Sequence, residues 1–411
     1  MTVETSAPAA RRSAAAMYTL LSVMFINILG FGIVVPLLPF YAKSFQAPAW
    51  QIALIFSAYS IGAFFGEPFW GRLSDRMGRK PILIFTVLAN CLCYGSLAFA
   101  PSIWIAFVIR LIGGMAAGNG SVVQGYIADV TPPQELAGRM ARLGAAYNIG
   151  FILGPFVGGV LAKPSAGPLG FQIPLLAASA LALCSAIGIA LAVRESRGRQ
   201  LRAGRSQSAL SAIGLVVRHP VIGPVVLLVF LVGFAFNGIE SIFALWAHHR
   251  YAWQPREVGI CFGLSGLVSS PTQFFITGAL SRRFGEARML AVGMAGTVIA
   301  TAALPFGGGG WITYALMAAM AVASSVAFPN AGAMLSRAID EHHQGQIMGL
   351  NNAISALSRV AGPQAASWFF AGVSVDSPFF VGALVTAPAI FLALAAGRAA
   401  AAAGFAPERS R

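Results

Sequence analysis

The feature that most limits this chain is a run of apolar residues about as long as a membrane is thick, repeated twelve times. A helix needs about 20 mainly apolar residues to cross the hydrocarbon of a bilayer. Runs bounded by charged or Pro/Gly-rich breaks predict spans at 17–40, 50–70, 81–100, 103–127, 142–162 and 170–193. Six more are predicted at 220–246, 258–280, 288–305, 311–332, 347–371 and 377–398. Lipid offers no partner to a backbone N–H or C=O, so each span is expected to be a helix. The first run follows Arg11-Arg12 as a secretion signal would. It is too long for one and contains Pro36 and Pro39, so it reads as a retained span. Only 10% of the residues are charged, against about 25% in a soluble domain, which leaves little chain for an extramembrane domain.

The basic residues test this division. The N-tail, the loops 2–3, 4–5 and 8–9, the segment 194–219, Arg337 and the C-tail together hold 21 of the 27 Lys and Arg. The intervening loops hold four, namely Lys43, Lys163, Arg250 and Arg256, and Arg110 and Arg359 lie inside spans. Cytoplasmic loops carry such an excess, so both termini and segment 194–219 are expected in the cytoplasm, with an even number of spans. A miscounted span would have scrambled the pattern. The bias also accounts for the net charge of +14 better than nucleic-acid binding does, because no basic face with interleaved aromatics occurs.

The chain echoes itself. Gly71, Leu73, Ser74, Arg76 and Gly78 recur as Gly278, Leu280, Ser281, Arg283 and Gly285, 207 residues on. Gly154-Pro155 recurs as Gly362-Pro363. The expected organisation is a six-helix bundle over 1–193, a basic cytoplasmic linker over 194–219, and a second bundle over 220–411. Repeated halves around a central site are a mark of transporters. Cys91, Cys93, Cys184 and Cys261 fall in apolar runs without metal-type spacing and read as small core residues. His248 and His249 read as a solvated loop pair, with pH sensing as the alternative. No metal-binding, phosphate-binding or serine-hydrolase motif appears, so neither an enzyme nor a metal site is expected. A membrane enzyme or receptor would need a catalytic cluster or a large extramembrane domain, and neither is found.

Three segments carry functional signal. The 2–3 loop reads Gly71-Arg72-Leu73-Ser74-Asp75-Arg76-Met77-Gly78-Arg79-Lys80. Its glycines permit a tight turn between antiparallel helices, and Asp75 can face a helix N-terminus. In span 4, Arg110 is a charge that lipid disfavours, so it is expected to face protein or a wet cavity. A structural or snorkelling arginine is the plainer reading. In span 5, Gly150, Gly154, Pro155, Gly158 and Gly159 combine a helix bender with small residues suited to close packing.

Together these segments resemble the major facilitator superfamily, and within it the drug/proton antiporter branch. The loop is similar to the family's signature, span 4 to its proton-coupling arginine, and span 5 to its antiporter motif. Gly30-Phe31-Gly32 with Pro36 and Pro39, Tyr126 to Asp129, and Met334 to Arg337 with Asp340-Glu341 extend the likeness to tetracycline efflux pumps. The resemblance implies an all-α membrane protein of twelve helices in two bundles, working as a monomer in the cell's inner membrane. It also implies a latch at Gly71, Asp75, Arg76, Gly78 and Arg79, with Asp75 reaching the opposite half. The second-half copy has Arg282 in place of Asp75, so any latch there must differ.

Departures bear on substrate. Where the tetracycline pumps have acids in spans 1, 3 and 9, this chain has Asn27, Cys93 and Thr297. It carries Glu67, Glu240 and Arg359 in spans instead. A desolvated carboxylate holds a proton more readily than one in water. Glu240 is therefore the expected proton carrier, with Arg110 or Arg359 tuning it, or else a carboxylate snorkelling outward. Glu67 is expected at a gate or in a pair. Asn27, Phe31, Asn119, Gln124, Asn237 and Arg359 are the expected cavity residues, and each could equally be packing or interhelical glue. The function expected is proton-coupled export of a lipophilic or drug-like molecule, with the proton gradient as energy source and no cofactor. The alternative is transport of an anionic metabolite drawn by the intramembrane arginines.

Overall fold

The computed structural model describes residues 7–117, 119–196, 214, 216, 219–339 and 344–402. The linker arginines from Arg197 to Arg218, the pair Asp340-Glu341, and Arg409 and Arg411 lie outside them. Among the described residues every regular element is helical, as hydrocarbon requires. Among the described residues, eleven helices are long and apolar enough to cross a membrane. The helix at the eleventh expected span, Gln344–Gly372, has 29 residues but carries Asn351, Asn352, Ser355, Arg359 and Gln364. It has the length to cross and lacks the greasiness.

The helices overrun the apolar stretches. Span 7 is Ile222–Tyr251 and span 10 is Gly310–Ala338, because a helix continues past the hydrocarbon into its charged ends. This corrects the expectation for His248 and His249. Both lie in the last turn of span 7, and the His248 ring is 3.0 Å from the Trp253 carbonyl. The cysteine reading also needs revision. Cys261 is buried, Cys91 and Cys93 are half-buried, and Cys184 is exposed on its helix.

Proline marks the interruptions. Span 1 ends at Val34, before Pro36, and a short helix Leu38–Ser44 follows. Span 12 breaks at Ala387, before Pro388, into Ser377–Thr386 and Pro388–Ala402. A proline has no N–H to give to the helix ladder, so an interruption beside one is natural. Span 8 runs Pro255–Pro271, passes through a π-helical stretch Thr272–Thr277, and ends as Gly278–Phe284. The wider stretch begins directly after Pro271, which has no N–H to give to the helix ladder. Span 4 divides into Ile103–Ala116 and Asn119–Val130.

The chain forms two compact units. The first comprises residues 1–47, 58–204 and 255–259, and the second 48–57, 205–254 and 260–411. Within the first, span 1 packs on spans 5 and 6, and span 3 on spans 6 and 4. Within the second, span 7 packs on spans 11 and 12, and span 9 on spans 12 and 10. Each pairing recurs six spans later, so the repeat read in the sequence is a repeat of packing. The two borrowed segments match as well, since Pro48 and Pro255 begin them 207 residues apart. Ser57 belongs with the second unit through a hydrogen bond from its Oγ to the Val360 carbonyl, 2.9 Å.

The second unit is pinned at one end by aromatic rings. Phe243, Trp246 and Phe379 are fully buried, with the Trp246 and Phe379 rings 4.7 Å apart. Trp253 stacks on Tyr314 at 4.7 Å. The Trp246 indole N–H donates to Asp376 Oδ1 at 2.7 Å, tying span 7 to the turn before span 12. A hydrogen bond to a charged acceptor contributes about 1.5–3 kcal/mol. Asp376→Ala should lower the unfolding temperature of purified protein in detergent, while Asp376→Asn, which keeps an acceptor, should lower it by less than half as much.

Candidate functional site

The 2–3 loop turns on one residue. Gly78 has φ 102° and ψ 153°, a region open essentially to glycine alone. Gly285, its counterpart, has φ 87° and ψ 147°. The two halves thus turn the same corner in the same way. Each glycine sits immediately before a spanning helix, Arg79–Ala98 in one case and Glu286–Ala303 in the other.

Around Gly78 the predicted latch residues form a charge cluster. Arg79 is buried, and its Nη1 lies 2.7 Å from Asp75 Oδ1 while its Nε lies 3.1 Å from Asp129 Oδ2. Nη1 also donates to Ser74 Oγ at 2.6 Å. Gly125, on span 4, leaves room for the guanidinium, since a Cβ there would lie 2.7 Å from its central carbon. Glu195, just past the end of span 6, accepts from the Arg79 backbone N–H at 2.7 Å and from that of Lys80 at 3.3 Å. A carboxylate there satisfies two of the orphan donors at a helix start and meets the positive end of its dipole. Lys80 Nζ donates in turn to the Ala190 carbonyl, 2.7 Å. Asp75 therefore directs its charge at Arg79, one turn along. Gly71 joins the cluster through its carbonyl, which accepts from Ser74 Oγ at 2.7 Å, and the exposed Arg76 flanks it.

The second half answers with the signs exchanged. Glu286 stands where Arg79 does, 207 residues on, and Arg337 follows Asp129 at 208. Arg337 Nη2 lies 2.9 Å from Glu286 Oε1. The arginine is half-exposed, so the pair contributes little to stability. It nonetheless joins the start of span 9 to the end of span 10, as Arg79–Asp129 joins span 3 to span 4. Sequence reasoning had Asp129 and Arg337 only as part of a family likeness, and it missed Glu195 and the pairing of Glu286 with Arg337. Carrying the repeat offset past Gly78 to the next residue would have found the last of these.

Span 5 owes its glycines to span 1. A Cβ at Gly150 would strike the Phe25 carbonyl, at Gly154 the backbone of Gly32, and at Gly158 the Ile33 carbonyl. These three residues, four apart, lie on one helix face and let two backbones touch. Pro155 meets Gly32 beside them, and Gly159 faces Pro255 and Gly259.

Deeper in the first unit, span 4 presents Arg110, 4% exposed. Its guanidinium lies over the Tyr59 ring, 4.5 Å from the centroid, and that ring is 5.2 Å from the ring of Phe31. Asn27, one turn before Phe31, is 9% exposed. Cys93 abuts Gly113, beside Arg110. Glu67 is exposed, and its carbonyl accepts from Ser121 Oγ at 3.4 Å. Gln124 is exposed, and the side chain of Asn119 lies outside the described set.

In the second unit Glu240 is half-buried on span 7 and makes no ion pair or hydrogen bond among the described residues. Arg359, on span 11, is half-buried and does not pair with it. Asn237 donates to the Gly233 carbonyl of its own helix rather than bridging two helices. Thr297 likewise donates to the Gly293 carbonyl at 2.9 Å. No group of three or more metal-ligating side chains occurs among the described residues.

The family model for the Major Facilitator Superfamily matches residues 20–363 and again 225–410. The tetracycline resistance protein of class C from Escherichia coli is 27% identical over 353 residues, which are 85% of this chain and 88% of that one. Multidrug resistance protein 2 of Bacillus subtilis is 27% identical over 373 residues, 89% of this chain and 91% of that one. The crystal structure of the nucleoside transporter NupG (D323A mutant) superposes with a TM-score of 0.76 at 14% identity, over 93% of this chain and 99% of that one. This last likeness concerns the fold.

The two loop glycines give an unequal prediction. Alanine at either meets the same backbone strain, of order 1–3 kcal/mol. At Gly78 the new Cβ would also lie 2.6 Å from a Glu195 carboxylate oxygen, whereas at Gly285 nothing stands within 4 Å. Gly78→Ala should therefore reduce the yield of folded protein, read by fluorescence-detected size exclusion, several-fold more than Gly285→Ala.

Proposed function

The chain belongs to the major facilitator superfamily, and we propose that it is a secondary active transporter exporting a lipophilic or drug-like molecule in exchange for protons. That it is a multi-pass membrane transporter and not an enzyme follows from the family. The direction, the proton and the substrate class are the reading advanced here, together with residence in the cell's inner membrane and both termini in the cytoplasm. Alternating access would expose a midplane site to each side in turn.

One observation carries the proton step. Glu240 is a carboxylate in the body of an apolar span, with no cation or donor beside it among the described residues. A structural carboxylate in such a place is normally paired. One without a partner can gain and lose a proton as its exposure to water changes. The energy suffices. One charge moving through 100 mV supplies about 2.3 kcal/mol, or roughly fifty-fold accumulation at about 1.4 kcal/mol per tenfold. The likeness to tetracycline and multidrug resistance proteins supports a drug-like cargo. With Asn27, Cys93 and Thr297 in place of acids, tetracycline itself is disfavoured. The cluster around Asp75 and Arg79 fits the latch, and Glu67 a gate at the same end of span 2. Asn27, Phe31, Asn119, Gln124, Asn237 and Arg359 are the proposed cavity residues.

Glu240→Gln, reconstituted in vesicles with an imposed pH gradient, should lose at least tenfold in gradient-driven substrate movement. Its substrate exchange without a gradient should persist. Gradient-driven movement at the wild-type rate would remove Glu240 from the mechanism.

A further inference from the structure

The guanidinium of Arg110 is buried in the first unit with no anion beside it among the described residues. The groups that interact with it electrostatically are Tyr59, Tyr94 and Cys93, none of them a carboxylate. It lies over the face of the Tyr59 ring, 4.5 Å from the centroid. A ring face attracts a cation but accepts no in-plane N–H, and Arg110 Nε indeed finds no acceptor. Asn27, on span 1, repeats the pattern. Both its amide nitrogen and its amide oxygen are buried and without a partner among the described residues. Buried polar groups are normally satisfied, so several orphans in one region of a bundle are unusual.

The orphans lie along one connected path. Asn27 and Phe31 are one helical turn apart, the Phe31 ring contacts Tyr59, and Tyr59 underlies Arg110. Tyr94 closes the same region from span 3, packed against Gly30. The path supplies a guanidinium edge with a free N–H, an amide offering one donor and one acceptor, and two aromatic faces. An unused guanidinium edge matches the two oxygens of a carboxylate. The rings match a flat apolar body. A cationic molecule would meet Arg110 as a like charge.

We propose that Arg110 and Asn27, with the rings of Phe31 and Tyr59, form the subsite that binds the acidic group of an aromatic carboxylate. This rests on the reading of the protein as a small-molecule transporter and narrows its substrate class to aryl acids. The acid's oxygens take the Arg110 edge and the Asn27 amide, and its ring lies along Phe31 and Tyr59. Arg110 is then a binding residue, and Tyr59 is the surface that keeps its guanidinium in place before the acid arrives.

The test is binding to purified full-length protein in nanodiscs, measured by calorimetry without any gradient. The probes are 2-naphthoate, its methyl ester, and 2-naphthylmethylamine, which share one ring system. The naphthoate should bind at least tenfold more tightly than the ester or the amine. Arg110→Gln should remove that preference, and Arg110→Lys, a second variant in case the first does not fold, should reduce it at least fivefold. Tyr59→Phe should keep the preference and Tyr59→Leu should lose it. Equal binding of acid and ester, no binding of the acid, or a preference that survives in Arg110→Lys would overturn the proposal. Because no gradient is applied, a failure of proton coupling at Glu240 would leave these outcomes unchanged.

Discussion

Hydrocarbon cannot hydrogen-bond, and most of this architecture follows from that. Every backbone group must find its partner inside its own helix. Side chains that would be routine in water become exceptional. With apolar surface equally at ease against lipid or protein, the hydrophobic effect gives helices no reason to associate. They associate where backbones can come close or where a polar group needs company. The glycines at 150, 154 and 158 against span 1 do the first. The Trp246–Asp376 bond and the arginine–carboxylate pairs at the helix ends do the second.

The two halves solve the same packing problem with different chemistry. Gly78 and Gly285 share a backbone conformation that other residues avoid, and each is followed by a charge that bridges to the next-but-one turn of chain. In one half that charge is positive and buried between two carboxylates. In the other it is negative, with one partly exposed partner. The geometry of the corner is common to both, and the electrostatics are not. Differences between the halves are to be expected in a transporter whose halves do unlike work, one holding Arg110 and the other Glu240.

The repeat and the spans, the polar eleventh apart, were legible because each leaves a mark tens of residues long. Apolar length, basic loops and a fixed offset are collective signals that tolerate single errors. The site was legible in part. Gly78, Arg79 and Asp75 stand together in one loop, and their cluster could be anticipated. Glu195 could not, because it reaches Arg79 across 116 residues and nothing local marks it. Tyr59 was likewise hidden, since an aromatic in an apolar span looks like packing until a guanidinium is found above it. The histidines at 248 and 249 were misplaced for a different reason. Helices outlast their greasy stretch, and the end of hydrophobicity is not the end of the helix.

The helix Gln344–Gly372 has a consequence for how the protein is made. With its amides, serines and Arg359, it would enter a bilayer poorly by itself during synthesis. Its chief neighbour, span 7, is far more apolar and starts more than a hundred residues earlier in the chain. Biogenesis therefore depends on a partner already installed, which receives the late, polar helix as it arrives.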